Sequence, residues 1–150
     1  MYCYPEFKKA SKKHLQACEC LINNFHTNCN SNKKSILVTI FYLSGYILET
    51  IMKFSIYSAI SYKRNEDIKK LNNHGLTYKN DIEVHKLFKL KTLVEEKSIT
   101  RLSNFKDNQK LFNAWNSEIR YVEKINYSEQ EIKDFFYFAK NIYEIIQKYK

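Results

Sequence analysis

The stretch that most constrains this chain runs from Ile36 to Ile60 and is almost continuously apolar. It contains no proline, one glycine and only two charged residues, Glu49 and Lys53. A helix that is apolar on nearly every side must be enclosed by other helices or by lipid. The uncharged part ends at Leu48, short of the roughly 20 residues that a bilayer span needs, and a central charge is costly in hydrocarbon. We therefore expect the buried central helix of a helical bundle, not a membrane span.

The rest of the composition favours an all-α protein. Two glycines and one proline among 150 residues leave little material for hairpins and tight turns. Apolar residues recur at helical spacing in five segments, at about residues 5–26, 33–62, 81–96, 104–122 and 128–149. We expect one domain over residues 1–150, with the core in about 33–149 and an N-terminal helix and loop in 1–30.

Several local signals set the expected ends of these helices. Ser31 or Asn32 is the expected cap of the central helix. Capping boxes are predicted from Asn80 with Glu83 and from Ser128 with Glu131. Residues 63–80 form the least regular segment, with a short helix expected over 64–71. Gly45, beside Ser44, is expected to allow close approach between helices.

The charge and the cysteines bear on location and ligands. Twenty-five Lys and Arg against 16 Asp and Glu give a net charge of +9, which favours polyanions such as RNA, although it also fits an ordinary solvated basic surface. The N-terminus has no apolar signal segment, so we expect a cytoplasmic protein. The four cysteines are then expected to be reduced, small buried thiols. Their spacing from His14 and His26 does not match a tetrahedral zinc site, and no metal or cofactor is expected.

Three features are the candidate site residues. Glu49 and Lys53 lie one turn apart on the central helix, His85 opens the third helix, and Arg120-Tyr121 ends the fourth. Each also has a purely structural interpretation: a helix salt bridge, a surface histidine, and a counter-charge for Glu49. A buried acid needs a cation, however, and an arginine that meets it would form a charged pocket inside a bundle.

These features occur in an order that resembles the HEPN family, in particular a prokaryotic branch. The similar segments are YLSGYILETIMKFSI, EVHKLFKL and LFNAWNSEIRY, followed by an amphipathic last helix. The residues that stand in the motif positions are Gly45, Tyr46, Glu49, Lys53, His85, Leu87, Leu90, Trp115, Arg120 and Tyr121. The resemblance covers about residues 35–146. It implies an antiparallel four- to five-helix bundle that commonly forms a homodimer.

The resemblance also implies a class of function. Many HEPN proteins are metal-independent ribonucleases, often toxins paired with a nucleotidyltransferase-like antitoxin or components of phage defence. Their signature is an Arg followed, after four to six residues, by a His. Arg120 stands in the Arg position, but the residues at the His positions are Ile125, Asn126 and Tyr127. We therefore expect a nucleotide- or RNA-binding or partner module without the usual nuclease pair.

Two alternatives remain open at this point. One is a metal-independent ribonuclease in which His85 or His74 reaches Arg120 from elsewhere in the fold, since proton transfer needs a base within about 3 Å. The other is a purely structural or regulatory dimer. In both the binding module and the ribonuclease, we expect Arg120 to contact phosphate, Tyr121 to position or stack the ligand, and Glu49 to orient Arg120. Lys53 would line the same cleft, and His85 is the acid–base candidate.

Overall fold

The computed structural model describes residues 1–27, 32–97, 102 and 108–148, and the chain is mostly helical. Its α-helices are α1 Pro5–Asn23, α2 Lys33–Ala59, α3 Leu87–Lys97, α4 Gln109–Ala114 and α5 Glu129–Lys148. Between them lie short 3-10 turns at Phe25–Thr27, Ile68–Lys70 and Ser117–Tyr121, and a π-helical turn at Tyr78–Ile82. The small antiparallel sheet comprises β1 Asn72–Asn73 and β2 Leu76–Thr77. The expected all-α class is confirmed.

Helix α2 is the centre of the fold, and α1, α3, α5 and the turn Ser117–Tyr121 pack against it. Every residue from Ile47 to Tyr57 is buried, as expected of an apolar helix enclosed by other helices. By length and composition alone α2 could also cross a membrane, but 61% of its most apolar window is buried inside the fold. It ends at Ala59, before the expected residue 62, and Ser61 follows with a left-handed φ of 53°.

The N-terminal helix belongs to the same core. Its apolar face buries Phe7, Leu15 and Cys18, and the buried Ser11 hydroxyl donates a hydrogen bond to the Ile47 carbonyl of α2 at 2.9 Å. Burial raises the pKa of the Cys18 thiol to about 12. One apolar cluster therefore holds residues of α1 together with those of the four later helices.

The cysteines differ in their surroundings. The expected small buried thiol is found at Cys18, whereas Cys3 is half-buried and Cys20 is exposed. Cys29 lies outside the described residues. The expectation of buried thiols is thus confirmed at one position and wrong at Cys20, which lies on the outer face of α1.

Residues 63–80 fold differently from the expectation. The short helix expected over 64–71 is replaced by the 3-10 turn Ile68–Lys70 and then the β1–β2 hairpin. His74 and Gly75 form its turn with φ values of 53° and 74°. Two consecutive left-handed residues match the twist of a two-residue hairpin, which explains why this glycine-containing sequence pairs instead of forming a loop.

The third and fourth helices are shorter than expected. Helix α3 begins at Leu87, not near residue 81, because Asn80 lies inside the π-helical turn and the predicted Asn80–Glu83 box does not form. Helix α4 ends at Ala114, since Trp115 adopts an extended conformation with ψ of 135°. The single helix expected over 104–122 is therefore wrong, although its residues 104–107 lie outside the described part.

The expected caps have mixed outcomes. At the start of α5, the Ser128 N–H donates to Glu131 Oε2 at 2.8 Å and the Glu131 N–H donates to Ser128 Oγ at 3.1 Å. This reciprocal pair confirms the predicted capping box. Asn32 occupies the cap position of α2 but makes no side-chain cap there, and Ser31 lies outside the described residues.

Candidate functional site

A polar stripe on α2 organises the candidate site. Tyr42, Tyr46, Glu49 and Lys53 follow one another at steps of four, three and four residues, which places them on one face of the helix. The two tyrosines are half-buried, and Glu49 and Lys53 are 3% and 5% exposed. The buried half of the stripe carries two charges and therefore needs partners inside the fold.

Those partners are present around the Glu49 carboxylate. Lys53 Nζ lies 2.6 Å from Glu49 Oε1, and His85 Nδ1 lies 3.1 Å and 3.0 Å from the two carboxylate oxygens. The Lys53 ammonium also lies 5.9 Å from the centre of the Phe7 ring. The acid is thus enclosed by a lysine from its own helix and a histidine 36 residues further along the chain.

His85 is held at the edge of this buried pair, with half of its side chain exposed. A carboxylate only accepts hydrogen bonds, so the contact makes Nδ1 the donating nitrogen. In the neutral ring, Nε2 is then the nitrogen that accepts. His85 lies two residues before α3, not in its first turn as expected, but it does face Glu49.

Arg120 has a different partner from the one expected. Its guanidinium shares a hydrogen bond with the Tyr42 side chain, which raises the pKa of Arg120. It also lies 4.7 Å from the centre of the Tyr121 ring, and that ring is 75% exposed. The expected contact in which Glu49 orients Arg120 is not found in the described part of the chain, because Glu49 binds Lys53 and His85 instead.

Tyr46 links the two halves of the site. Its ring centre lies 4.8 Å from that of Tyr42 and 5.2 Å from that of Trp115. Burial raises the pKa of the Tyr46 hydroxyl, and its hydrogen bond with Tyr42 and the charge of Glu49 raise it further, while Arg120 opposes them. Tyr46 therefore lies between the Glu49 cluster and Arg120 and responds to the charges of both.

Trp115 fixes the turn that carries Arg120. Its indole N–H donates to the Tyr42 carbonyl at 3.1 Å, and the ring covers Gly45 so closely that a Cβ there would lie 2.0 Å from Nε1. The close approach expected at Gly45 is therefore made, but by an aromatic side chain and not by a neighbouring helix.

Tyr42 and His14 are two members of the site that were not predicted from the sequence. The ring centre of His14, on α1, lies 5.7 Å from that of Tyr46. Burial and then the charge of Lys13 lower the pKa of His14, and Glu49 partly opposes them. The signal was its place between Ser11 and Cys18 on the buried face of α1. His74, by contrast, lies in the hairpin turn, where its carbonyl accepts from Lys97.

The arrangement can bind an anion and can exchange a proton. Arg120 is an exposed cation beside the Tyr121 ring, and His85 Nε2 is the accepting nitrogen of a half-exposed side chain that a carboxylate holds. Within residues 1–27, 32–97, 102 and 108–148, no group of three or more His, Cys, Asp or Glu side chains could hold a metal ion. Fold and site together define a mostly helical protein with a buried charge cluster at Glu49 and a separate exposed Arg–Tyr pair in the turn Ser117–Tyr121. Comparison of the chain with known protein families, curated proteins and solved structures finds no match.

Proposed function

We propose that this protein is a HEPN-like module that binds single-stranded RNA or a nucleotide through Arg120 and Tyr121, in a toxin–antitoxin or phage-defence type system. The observation that carries the proposal is the exposed Arg120 guanidinium, which lies 4.7 Å from the centre of the exposed Tyr121 ring. The planar guanidinium can donate two parallel hydrogen bonds to two oxygens of one phosphate. Exposed aromatic rings next to such a cation are the common platform for unpaired bases.

Two further points support this function. The net charge of +9 attracts a polyanion without regard to position. The Arg120 contact would then fix where on the protein the polyanion binds. The HEPN resemblance also rests on residues that take part in the site: Glu49, Lys53 and His85 form the buried cluster, and Trp115 packs on Gly45. The homodimer and a nucleotidyltransferase-like antitoxin partner follow from that resemblance and belong to the proposal.

The test is fluorescence anisotropy with labelled single-stranded RNA in EDTA over a series of salt concentrations. Arg120→Ala is expected to weaken binding about tenfold or more, because it removes a charge-assisted contact, and to reduce the salt dependence by about one ion. The matched control is Arg64→Ala, an exposed arginine beyond the end of α2. The end of α2 at Ala59, which Arg64 follows, lies roughly 25 Å along the helix axis from Tyr42.

A second pair of variants tests the stacking surface. Tyr121→Ala is expected to weaken RNA binding, whereas Tyr137→Ala, which removes another exposed tyrosine from α5, is expected to leave it unchanged. Equal losses for Arg120→Ala and Arg64→Ala would show that only general basic charge binds RNA. Unfolding of Arg120→Ala in circular dichroism would show that this arginine is mainly structural.

A ribonuclease is the second candidate, and the contact between His85 Nδ1 and Glu49 favours it. This contact leaves Nε2 to accept a proton, as a general base acting on a 2′-hydroxyl must. Glu49 and Tyr42, which hold His85 and Arg120, are seven residues apart, or roughly 10 Å along the helix axis. Joint action of the two side chains on one phosphate would therefore require the substrate, or a second chain, to bridge that distance.

The enzyme and the binding module differ in one assay. Incubation of end-labelled RNA with the protein in EDTA should give products ending in 2′,3′-cyclic phosphate if His85 acts as the base. His85→Gln should then stop cleavage, and His74→Gln, in the hairpin turn, should not. RNA binding without cleavage across the pH range in which histidine titrates would exclude the ribonuclease and leave the binding module.

A further inference from the structure

A pocket lies beside His85, between the start of α3 and the end of α4, with a cavity volume of about 230 Å³. Its walls are mostly apolar, and the residues that matter here are His85, Phe88, Phe112, Asn113, Trp115 and Asn116. The volume is below the roughly 300–1,000 Å³ of sites for drug-sized ligands. The pocket can therefore hold one ring system but not a whole nucleotide.

We propose that this pocket takes one unpaired nucleobase, from an RNA strand or a free nucleotide whose phosphate contacts Arg120. This inference rests on the proposed function for the phosphate contact, but the base site can be tested without it. It assigns a second contact to the ligand, and it brings Phe88 and Asn113 into the binding surface.

The walls of the pocket are largely aromatic. Phe88 is 64% exposed although it is a large apolar side chain, and it lines the same space as Phe112 and Trp115, which are 2% and 4% exposed. Flat aromatic surfaces recognise unpaired bases, because every base offers a π face for stacking. A nucleobase in this space would cover the exposed ring of Phe88 and reach the indole of Trp115.

Polar side chains at the rim of the pocket could contact the edge of a base. A side-chain amide offers a donor and an acceptor together, which matches the edge of a base. Asn116 is already used within its own chain, since its Oδ1 accepts from the Glu118 N–H at 3.0 Å. Asn113 is exposed at the rim, and it is therefore the amide we assign to the base edge. The cation of Lys86, which also lines the pocket, suits the phosphate chain of such a ligand.

The pocket and Arg120 lie on adjoining segments, because Asn116 of the pocket directly precedes the turn Ser117–Tyr121. The Trp115 indole donates to the Tyr42 carbonyl, and Arg120 bonds to the Tyr42 side chain. Asn116 caps the 3-10 turn Ser117–Tyr121 that carries Arg120. The turn that follows the pocket thus places Arg120 near the proposed base site.

Trp115 makes the base site directly observable, because it is the only tryptophan in the chain. The experiment titrates the protein with adenosine, guanosine, cytidine and uridine, which carry no phosphate, and follows tryptophan fluorescence at wavelengths that nucleosides do not absorb. At least one nucleoside should quench the emission saturably. Phe88→Ala should weaken this binding about tenfold. Tyr137→Ala, another exposed aromatic residue, should leave it unchanged.

A second experiment, with RNA, tests whether the base belongs to an RNA strand or to a free nucleotide. Phe88→Ala and Asn113→Ala should lower the affinity for single-stranded RNA but not for an abasic strand of equal length, which keeps the phosphates and lacks bases. Both residues are exposed, so both variants should fold, and far-ultraviolet circular dichroism checks this.

Each result has a definite meaning for the pocket. Nucleoside quenching that depends on Phe88 supports the base pocket. If such quenching occurs but the protein does not bind RNA, the base comes from a free nucleotide and the RNA function is refuted. RNA binding that depends on Arg120 but is equal in Phe88→Ala, with no saturable quenching, overturns the pocket and leaves the proposed function intact. Quenching that is the same in Phe88→Ala and in the unchanged protein also overturns it.

Discussion

Replacement of Glu49 by glutamine tests the buried charge cluster most directly. The change keeps the size of the side chain and removes its charge, so the Lys53 ammonium, whose side chain is 6% exposed, loses its counter-charge at 2.6 Å. Breaking one partner of a buried pair costs about 3–5 kcal/mol. In a chain of this length, each 1 kcal/mol lowers Tm by about 2–4 °C, so we expect a fall of roughly 6–20 °C.

The assay is urea unfolding followed by the circular dichroism of the helices, with the free energy taken at unchanged slope. The control is Glu95→Gln in α3, whose partner Lys91 also lies four residues away, at 3.3 Å, but whose side chain is 37% exposed. Exposed pairs at this spacing contribute about 0.3–0.5 kcal/mol. Glu49→Gln should therefore cost several times more than its control.

A double variant completes the test. Glu49→Gln combined with Lys53→Met also removes the unpaired charge of Lys53. It should recover most of the lost stability, because an apolar replacement of a buried pair is often close to neutral. The buried pair would be contradicted if Glu49→Gln and Glu95→Gln lowered the free energy of unfolding equally and the effects in the double variant were additive. The pair would then be solvated, and the buried cluster behind His85 would not exist in solution.

Two other predictions follow from the same site. Gly45→Ala should destabilise the fold by about 1–3 kcal/mol, because the new Cβ displaces the Trp115 ring; altered near-ultraviolet circular dichroism would accompany this, and a gain in stability would contradict the contact. His14, whose pKa burial lowers, binds a proton less readily in the folded than in the unfolded chain, so its contribution to stability is present above about pH 6.5 and is lost as the pH falls. His14→Gln should flatten the stability curve between about pH 7 and pH 5, and an unchanged curve would exclude the effect.

The helical class could be read from the sequence because its causes are local. The apolar run of α2 forces enclosure whatever surrounds it, and the Ser128–Glu131 cap closes within four residues. The spacing of Glu49 and Lys53 likewise places both on one side of the helix, so their ion pair was an interpretation available from the sequence. Each of these features depends only on neighbours within one turn or on the average polarity of one segment.

The partners in the site depend on distant residues, and here local reasoning ends. Helical periodicity continued past Trp115, but its ring packs on Gly45 and its N–H bonds to Tyr42, and this tertiary contact ends α4. Nothing local to Arg120 specifies that it pairs with Tyr42. Local patterns along the chain are thus sufficient to predict the enclosed helix and the two charges that it carries. Which side chains contact this helix depends on tertiary packing, because residues 36 or 73 positions apart become neighbours only when the helices pack.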